Sequence, residues 1–319
     1  MSAAQVGEIG ESDPRSGRLA LPDSVNPRRI VWPYAIAIVV FHLAALLAFV
    51  PWFFSWSGVI VAIVGVYIFG GLGINVCYHR LLTHRGFVCW KPLEYTFAVI
   101  GVCCLQDSPA RWIAVHRRHH EHSDEPMDPH SPRVSFLWSH VGWMLVEHEE
   151  LERFGIFERY AKDIIREPFY KWLERRYGYV LMTSWILFFA AGFAVELAFG
   201  GSLASGVQYG LSILVWGVIV RTVVVWHITW SVNSLAHMWG YRNYATNENS
   251  RNNVFVAIIT SGEGWHNNHH ADQRSARHGH KWYELDGIYL VIRFLALIGA
   301  ARHVKTPRVP ASLQAGNPG

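Results

Sequence analysis

The stretch His116-Arg117-Arg118-His119-His120 follows the apolar run Trp112–Val115, and the rest of the chain is read outward from it. On a helix, positions i, i+3 and i+4 share one face, so His116, His119 and His120 project together. Each imidazole has a polar nitrogen to satisfy, which makes three on one patch poor core material. The same spacing returns at His266-Asn267-Asn268-His269-His270, and His79 and His84 stand upstream. One such cluster alone could be a basic surface turn. Two copies and a third pair point to three segments brought to one metal site.

Hydrophobic residues make up 51% of the 319-residue chain and charged residues 16%, against about 25% charged in a typical soluble domain. The apolar residues are clumped into four runs, at about 30–54, 57–78, 177–199 and 203–220. A spanning helix takes about 20 apolar residues, so each run is a candidate span. No Lys or Arg lies between Arg29 and Arg80 or between Arg176 and Arg221. All basic residues then fall on one side, with both termini, and the positive-inside rule makes that side cytoplasmic. The expected fold is an all-α integral membrane protein with four transmembrane helices and a cytoplasmic helical cap that holds the histidines.

Residues 1–29 mix Gly, Ser, Pro, Glu and Arg without apolar period or signal-peptide core, and are expected to be a flexible cytoplasmic tail. Residues 306–319 are expected to be a second tail, and 30–305 one domain. The segment Tyr95–Leu105 is too short to span and reads as a surface or half-buried helix. The helical pattern after Arg221 continues to about Trp239. The fourth helix would therefore reach roughly 55 Å, against about 30 Å of hydrocarbon. Its end would carry Asn233 and His237, one turn apart, into the cytoplasm. Cys77, Cys89, Cys103 and Cys104 fit no zinc or redox motif and read as buried free thiols. The net charge of +4 is small, and no nucleic-acid partner is expected.

His79 and His84 would diverge by about 140° on an ideal helix, so the helix is expected to end between them. His79, His84, His116, His119, His120, His266, His269 and His270, with His237, make nine candidate ligands. One ion cannot use nine ligands and two can; imidazole by itself does not choose among zinc, copper, iron and nickel. The clusters lack the pair of Glu-x-x-His motifs, one on each of two helices, that soluble di-iron bundles use. His227 reads as a partnered interface residue and His42 as packed with one hydrogen bond. His122, His130, His140 and His148 stand outside the ligand set. Asp128, Glu263 and Asp272 are candidates for orienting ligand imidazoles through the second ring nitrogen, or else solvated carboxylates.

His79-Arg80-Leu81-Leu82-Thr83-His84, the His116–His120 stretch and Gly262-Glu263-Gly264-Trp265-His266-Asn267-Asn268-His269-His270 resemble the three histidine boxes of membrane fatty acid desaturases of the acyl-CoA and acyl-lipid delta-9 branch. Asn233-Ser234-Leu235-Ala236-His237 resembles that branch's further ligand segment, in which the Asn acts through a water. Asp128-Pro129-His130-Ser131 and Ser139-His140-Val141-Gly142-Trp143 fit its loop after the second box. The resemblance covers roughly residues 34–305.

It implies two iron ions held by the nine histidines, O2 as co-substrate and a cis double bond made in a saturated long-chain acyl group. Tyr67, Gly71, Asn75 and His79 form an i, i+4 ladder on the second span. In the resembling desaturases such positions close the far end of the acyl tunnel, although Tyr and Gly also serve helix packing. Trp112 is a further candidate for lining that tunnel. Electrons would come from a separate ferredoxin or cytochrome b5-type donor with its reductase, steered by basic loops such as Arg117-Arg118. The acyl carrier would be CoA or a membrane lipid. A basic residue two before the second box, which helps acyl-CoA desaturases hold the head group, is Ala114 here. With Gln106-Asp107-Ser108-Pro109, that departure looks closer to the acyl-lipid and bacterial members, and so to a bacterial inner membrane. A di-iron hydroxylase or alkane monooxygenase is the nearest alternative. A metal transporter is more distant, because it would place ionisable ligands near the membrane midplane.

Overall fold

The computed structural model describes residues 18–151 and 153–313. The chain begins with strand β1 (Val25–Ile30) and two apolar helices, α1 (Trp32–Phe49, its last turn 3-10) and α2 (Trp56–Thr83). A polar segment follows, with α3 (Lys91–Val102), α4 (Pro109–His122), strand β2 (Val146–His148), α5 (Arg153–Tyr160) and α6 (Lys162–Ile165). Then come α7 (Pro168–Ala198) and α8 (Leu203–Met238), and finally α9 (Val254–Thr260), α10 (His266–Ala271) and α11 (Gly287–Leu297). Helices α1, α2, α7 and α8 are long and apolar enough to cross a membrane. Leu43, Phe49, Ile60, Ile186, Leu187 and Leu203 lie exposed on their outer faces, where lipid tails take the place of water. The all-α membrane architecture is as expected.

The ends of the elements are set by local chemistry. Ser55 and Ser202 cap α2 and α8, their Oγ atoms accepting from Gly58 N at 3.0 Å and Ser205 N at 3.1 Å. Pro168 opens α7 nine residues before the expected span, because the charged turn Lys171–Arg176 extends the same helix out of the apolar zone. Between α7 and α8 the contact is made at glycines. A Cβ on Gly192 would stand 3.0 Å from Cα of Gly210, the close approach that drives helix association where no hydrophobic effect operates.

Four sequence expectations change. The first span ends at Phe49, since Pro51 starts a separate 3-10 turn. The amino-terminal tail is shorter than 1–29: β1 pairs antiparallel with β2, Val25 opposite His148. Residues 1–17 lie outside the described residues, as do 314–319. In the second expected tail, Arg308 N donates to Asp272 Oδ2 at 2.7 Å and Leu313 O accepts from Ala245 N at 2.9 Å, so the chain is docked at these two residues. Arg221 is the fourth. The sequence set it just past the fourth span on the cytoplasmic side, but it is 1% exposed inside the bundle, with its guanidinium 3.8 Å over the Phe69 ring.

The cap packs on the ends of α2 and α8. α3 is half-buried, as expected of Tyr95–Leu105, and lies along α2 with Phe97, Ala98 and Val102 inward. Tyr78, Leu82, Ile113, Ile164, Leu173 and Ile292 join α2, α4, α6, α7 and α11 in one core. Ser108 caps α4, and Pro109 fixes its first turn. Core, cap and proline together aim the His116–His120 face at the end of α2.

Candidate metal centre

From Val66 to Thr83, α2 is wound as a π-helix, in which i→i+5 bonds replace i→i+4. His84 N accordingly donates to His79 O at 3.2 Å. The helix ends at Thr83, between His79 and His84 as expected, and His84 is its capping residue. In the wider winding, residues five apart come nearly above one another, and the two rings stand 4.8 Å apart.

Two sets of imidazoles result. Ring nitrogens of His79, His84, His116, His120 and His269 all lie within 4.8 Å of one another, and those of His119, His237, His266 and His270 do likewise. Together the two sets contain every one of the nine expected ligands. The sets adjoin, with His120 and His270 ring centroids 4.5 Å apart. Helix α8 does reach the site, as its length required: His237 Nε2 is 3.0 Å from His266 Nε2.

Carboxylates hold the outer nitrogens. His79 Nδ1 lies 2.7 Å from Glu263 Oε2, His119 Nδ1 3.0 Å from Asp128, and His237 Nδ1 3.1 Å from Asp124 Oδ2. An Nδ1–H donated to a carboxylate leaves Nε2 bare and facing inward. Burial alone would raise the Glu263 carboxyl, but Arg80, His278 and His79 hold it well below the usual range. Asp128 is likewise held low, against burial, by His119. Burial and then the neighbouring imidazoles push His84, His116, His120, His266, His269 and His270 far down. The inner nitrogens of these six rings are thus neutral lone-pair donors, whereas at His237 the opposing pull of burial is outweighed by Asp124, which raises that ring.

Sequence reasoning found Asp128 and Glu263 but also proposed Asp272, which instead accepts from the Arg308 backbone. It missed Asp124, which sits in left-handed backbone at φ 59°. It also missed His278, 3.2 Å from Glu263 Oε2, and the Arg80–Asp286 pair at 2.8 Å. None stands in a repeated spacing, so only contact reveals them. His42 and His227 meet at 2.9 Å, and His227 meets His140 at 3.0 Å, away from the nine histidines. His148 lies 2.8 Å from Trp143 O. Arg117 donates to Leu82 O, Tyr160 O and Asp163, and Arg118 pairs with Glu150. These two arginines are tied into the cap and do not form the open basic surface that the sequence suggested.

An apolar cavity of about 520 Å³ has His116, His130, Trp112 and Asn233 in its wall. It extends to Tyr34, Asp107 and Arg111, which also line a smaller cavity beyond. Tyr67, Gly71 and Asn75 line a different cavity of about 150 Å³. Thr229 borders both. Gln106 Nε2 donates to Thr229 Oγ1 at 3.0 Å and Trp112 Nε1 to Gln106 Oε1 at 3.4 Å, a hydrogen-bonded wall beside the larger cavity. A fourth, polar cavity reaches His120, His237 and His270.

The sequence profile described as fatty acid desaturase matches residues 54–303. A sn-1 stearoyl-lipid 9-desaturase of Synechocystis is 39% identical over 90% of this chain and 85% of that protein. The icosanoyl-CoA 5-desaturase of Limnanthes douglasii is 38% identical over 88% and 74%, respectively. A chloroplastic palmitoyl-monogalactosyldiacylglycerol delta-7 desaturase of Arabidopsis thaliana is 41% identical over 86% and 68%. Four spans, two converging imidazole sets and a matching profile over most of its length agree that this chain is a member of the fatty acid desaturase family, an oxidoreductase that desaturates fatty acyl groups of lipid substrates.

Proposed function

We propose that the protein places a cis double bond at the delta-9 position of a saturated long-chain acyl group carried by a membrane lipid, with O2 as oxidant and two iron ions as cofactor. The observation that carries this reading is the adjacency of the two histidine sets to one apolar cavity. The delta-9 position is taken from the Synechocystis relative.

The residues fit a pair of metal ions. His79 Nε2 faces His269 Nε2 at 3.2 Å, His120 faces His116 at 3.1 Å, and His266 faces His237 at 3.0 Å. Ring nitrogens so close are held either by a shared proton or by a cation among them. Ligands at about 2.1 Å from one ion stand about 3.0–3.4 Å apart in common geometries. His79, His84, His116, His120 and His269 would hold one iron; His119, His237, His266 and His270 would hold the other. Asn233, one turn before His237, would act on the second through a water.

Bound iron supplies the dioxygen chemistry that unactivated C–H bonds require and that side chains cannot provide. The chain's own residues bind and place the substrate. The apolar cavity excludes water from the acyl chain, and Trp112 and the Gln106–Thr229 bond set its course past His116. The smaller cavity at Tyr67 and Gly71 would take the methyl end. The head-group end favours a lipid carrier: among the described residues Arg111 is the one lining arginine or lysine, and Asp107 lies 3.7 Å from it. That leaves no surplus cation for the phosphates of CoA.

With the basic residues gathered at the cap end, the cap and both termini would be cytoplasmic. A separate ferredoxin or cytochrome b5-type protein with its reductase would deliver electrons there. Expression in a host unable to make unsaturated fatty acids, with double bonds mapped in each lipid class and in acyl-CoA, tests the whole reading. Monounsaturated chains should appear first in intact lipids. Hydroxylated products, or unsaturation confined to acyl-CoA, would overturn it.

A further inference from the structure

Among the described residues Arg221 is a buried cation without an acid. It is 1% exposed, and its Nε and Nη1 have no hydrogen-bond partner among the described residues. Such a group is costly inside a membrane bundle and is rarely kept without a task. Helix α2 makes room for it: a Cβ on Gly65 would come within 2.9 Å of Arg221 Cδ.

Besides the Phe69 ring and its neighbour Thr222 Oγ1, at 3.2 Å from Nη2, the guanidinium reaches one group on another element. Its Nη2 donates at 2.9 Å to the carbonyl of Cys103, the residue that closes the carboxyl end of α3. That is the negative end of the helix dipole, where a cation is favoured. Further along α8, Trp226 Nε1 donates to Cys104 O at 2.9 Å and to Leu105 O at 3.1 Å. Thr229 then receives Gln106 Nε2. Consecutive residues 103–106 are thus tied to a single helix. The turn they form needs holding, because Leu105 at φ 52° and Asp107 at φ 71° are left-handed without being glycine.

We infer that Arg221 is a positioning residue for double-bond placement: it clamps the Cys103–Gln106 turn to α8 and so fixes the wall against which the acyl chain lies. This rests on the reading of the Trp112 cavity as the acyl channel. Arg221 itself touches neither that cavity's lining nor the nine histidines.

The test expresses Arg221→Met, Arg221→Lys, Trp226→Phe and Trp112→Ala in the unsaturate-deficient host. It reads double-bond position, metal content and protein level. Arg221→Met should keep wild-type metal per chain while about a tenth or more of the product moves to neighbouring carbons, since one methylene of misplacement separates products by about tenfold. Arg221→Lys should restore most of the fidelity, and Trp226→Phe, which loses the next bonds of the clamp, should spread products in the same way. Faithful placement by Arg221→Met overturns the inference; if that variant fails to accumulate, faithful placement by Trp226→Phe does so. Trp112→Ala separates the two failures. If it scatters products while the clamp variants do not, the channel stands and the role of Arg221 falls. If neither it nor the clamp variants change the products, the channel reading falls as well.

Discussion

His79 Nδ1 and Glu263 Oε2 stand 2.7 Å apart although 184 residues separate them. The other oxygen of Glu263 accepts from Arg80 Nε at 2.9 Å. One buried carboxylate therefore orients an imidazole of α2 and fastens the loop before α10 to the same helix. Glu263→Gln keeps the shape and removes the charge. Its metal affinity should fall about 10–100-fold, the usual consequence of losing a ligand's outer partner. A chelator titration of the purified protein reads this directly, and wild-type retention would remove Glu263 from that role.

The buried histidines outside the two sets make stability depend on pH. Burial holds His130 at about 3, and His148 and His278 at about 4, while in an unfolded chain each titrates near about 6.5. Below that value the unfolded chain binds protons that the folded chain refuses, so stability falls as pH drops. The loss should begin near pH 6.5 and continue to about pH 4 in the metal-free protein. Thermal unfolding in detergent across that range measures it. His148→Gln should flatten the slope, and an unchanged slope would show that this ring is not held neutral.

Gly71 and Tyr67 test the far cavity. A Cβ on Gly71 would meet Ile288 Cδ1 at 3.7 Å, so Gly71→Leu fills most of that space. Products should shift toward shorter chains, whereas Tyr67→Ala should admit longer ones. Because Tyr67 is 54% exposed at the bundle surface, its effect should be the smaller of the two. Gas chromatography of total fatty acids decides this. An unchanged chain-length profile in both variants, at normal protein levels, returns the pair to helix packing.

Arg117 separates structure from electron delivery. Its guanidinium holds two carbonyls at the end of α2, Leu82 O and Thr83 O, and is matched by Asp163. Arg117→Ala should lower the unfolding temperature and metal retention, since it leaves buried carbonyls unpaired. The concentration of donor that gives half-maximal rate should not move. A large rise in that concentration with stability intact would restore the arginine to a docking surface.

The nine histidines were legible because helical periodicity is local: i, i+3 and i+4 share a face whatever packs against them. The spans were legible for a similar reason, since length and apolarity are properties of a single segment. Asp128 and Glu263 could be proposed as outer partners only because they stand close in sequence to the ligands. The same proximity misled at Asp272, whose carboxylate turns to the Arg308 backbone instead.

By itself the sequence determined a four-span helical membrane protein with three histidine clusters and an extended fourth helix at one end. Only the tertiary structure decided how the clusters divide into a set of five and a set of four, because His79 and His84 share a face through π winding that no residue type announces. It also decided that Asp124 serves His237 across 113 residues, that Tyr67 and Trp112 line separate cavities, and that Arg221 points inward to a helix end. The physical reason is common to all of these. Each depends on which distant group satisfies a buried polar atom, and that partner is chosen only when the helices pack.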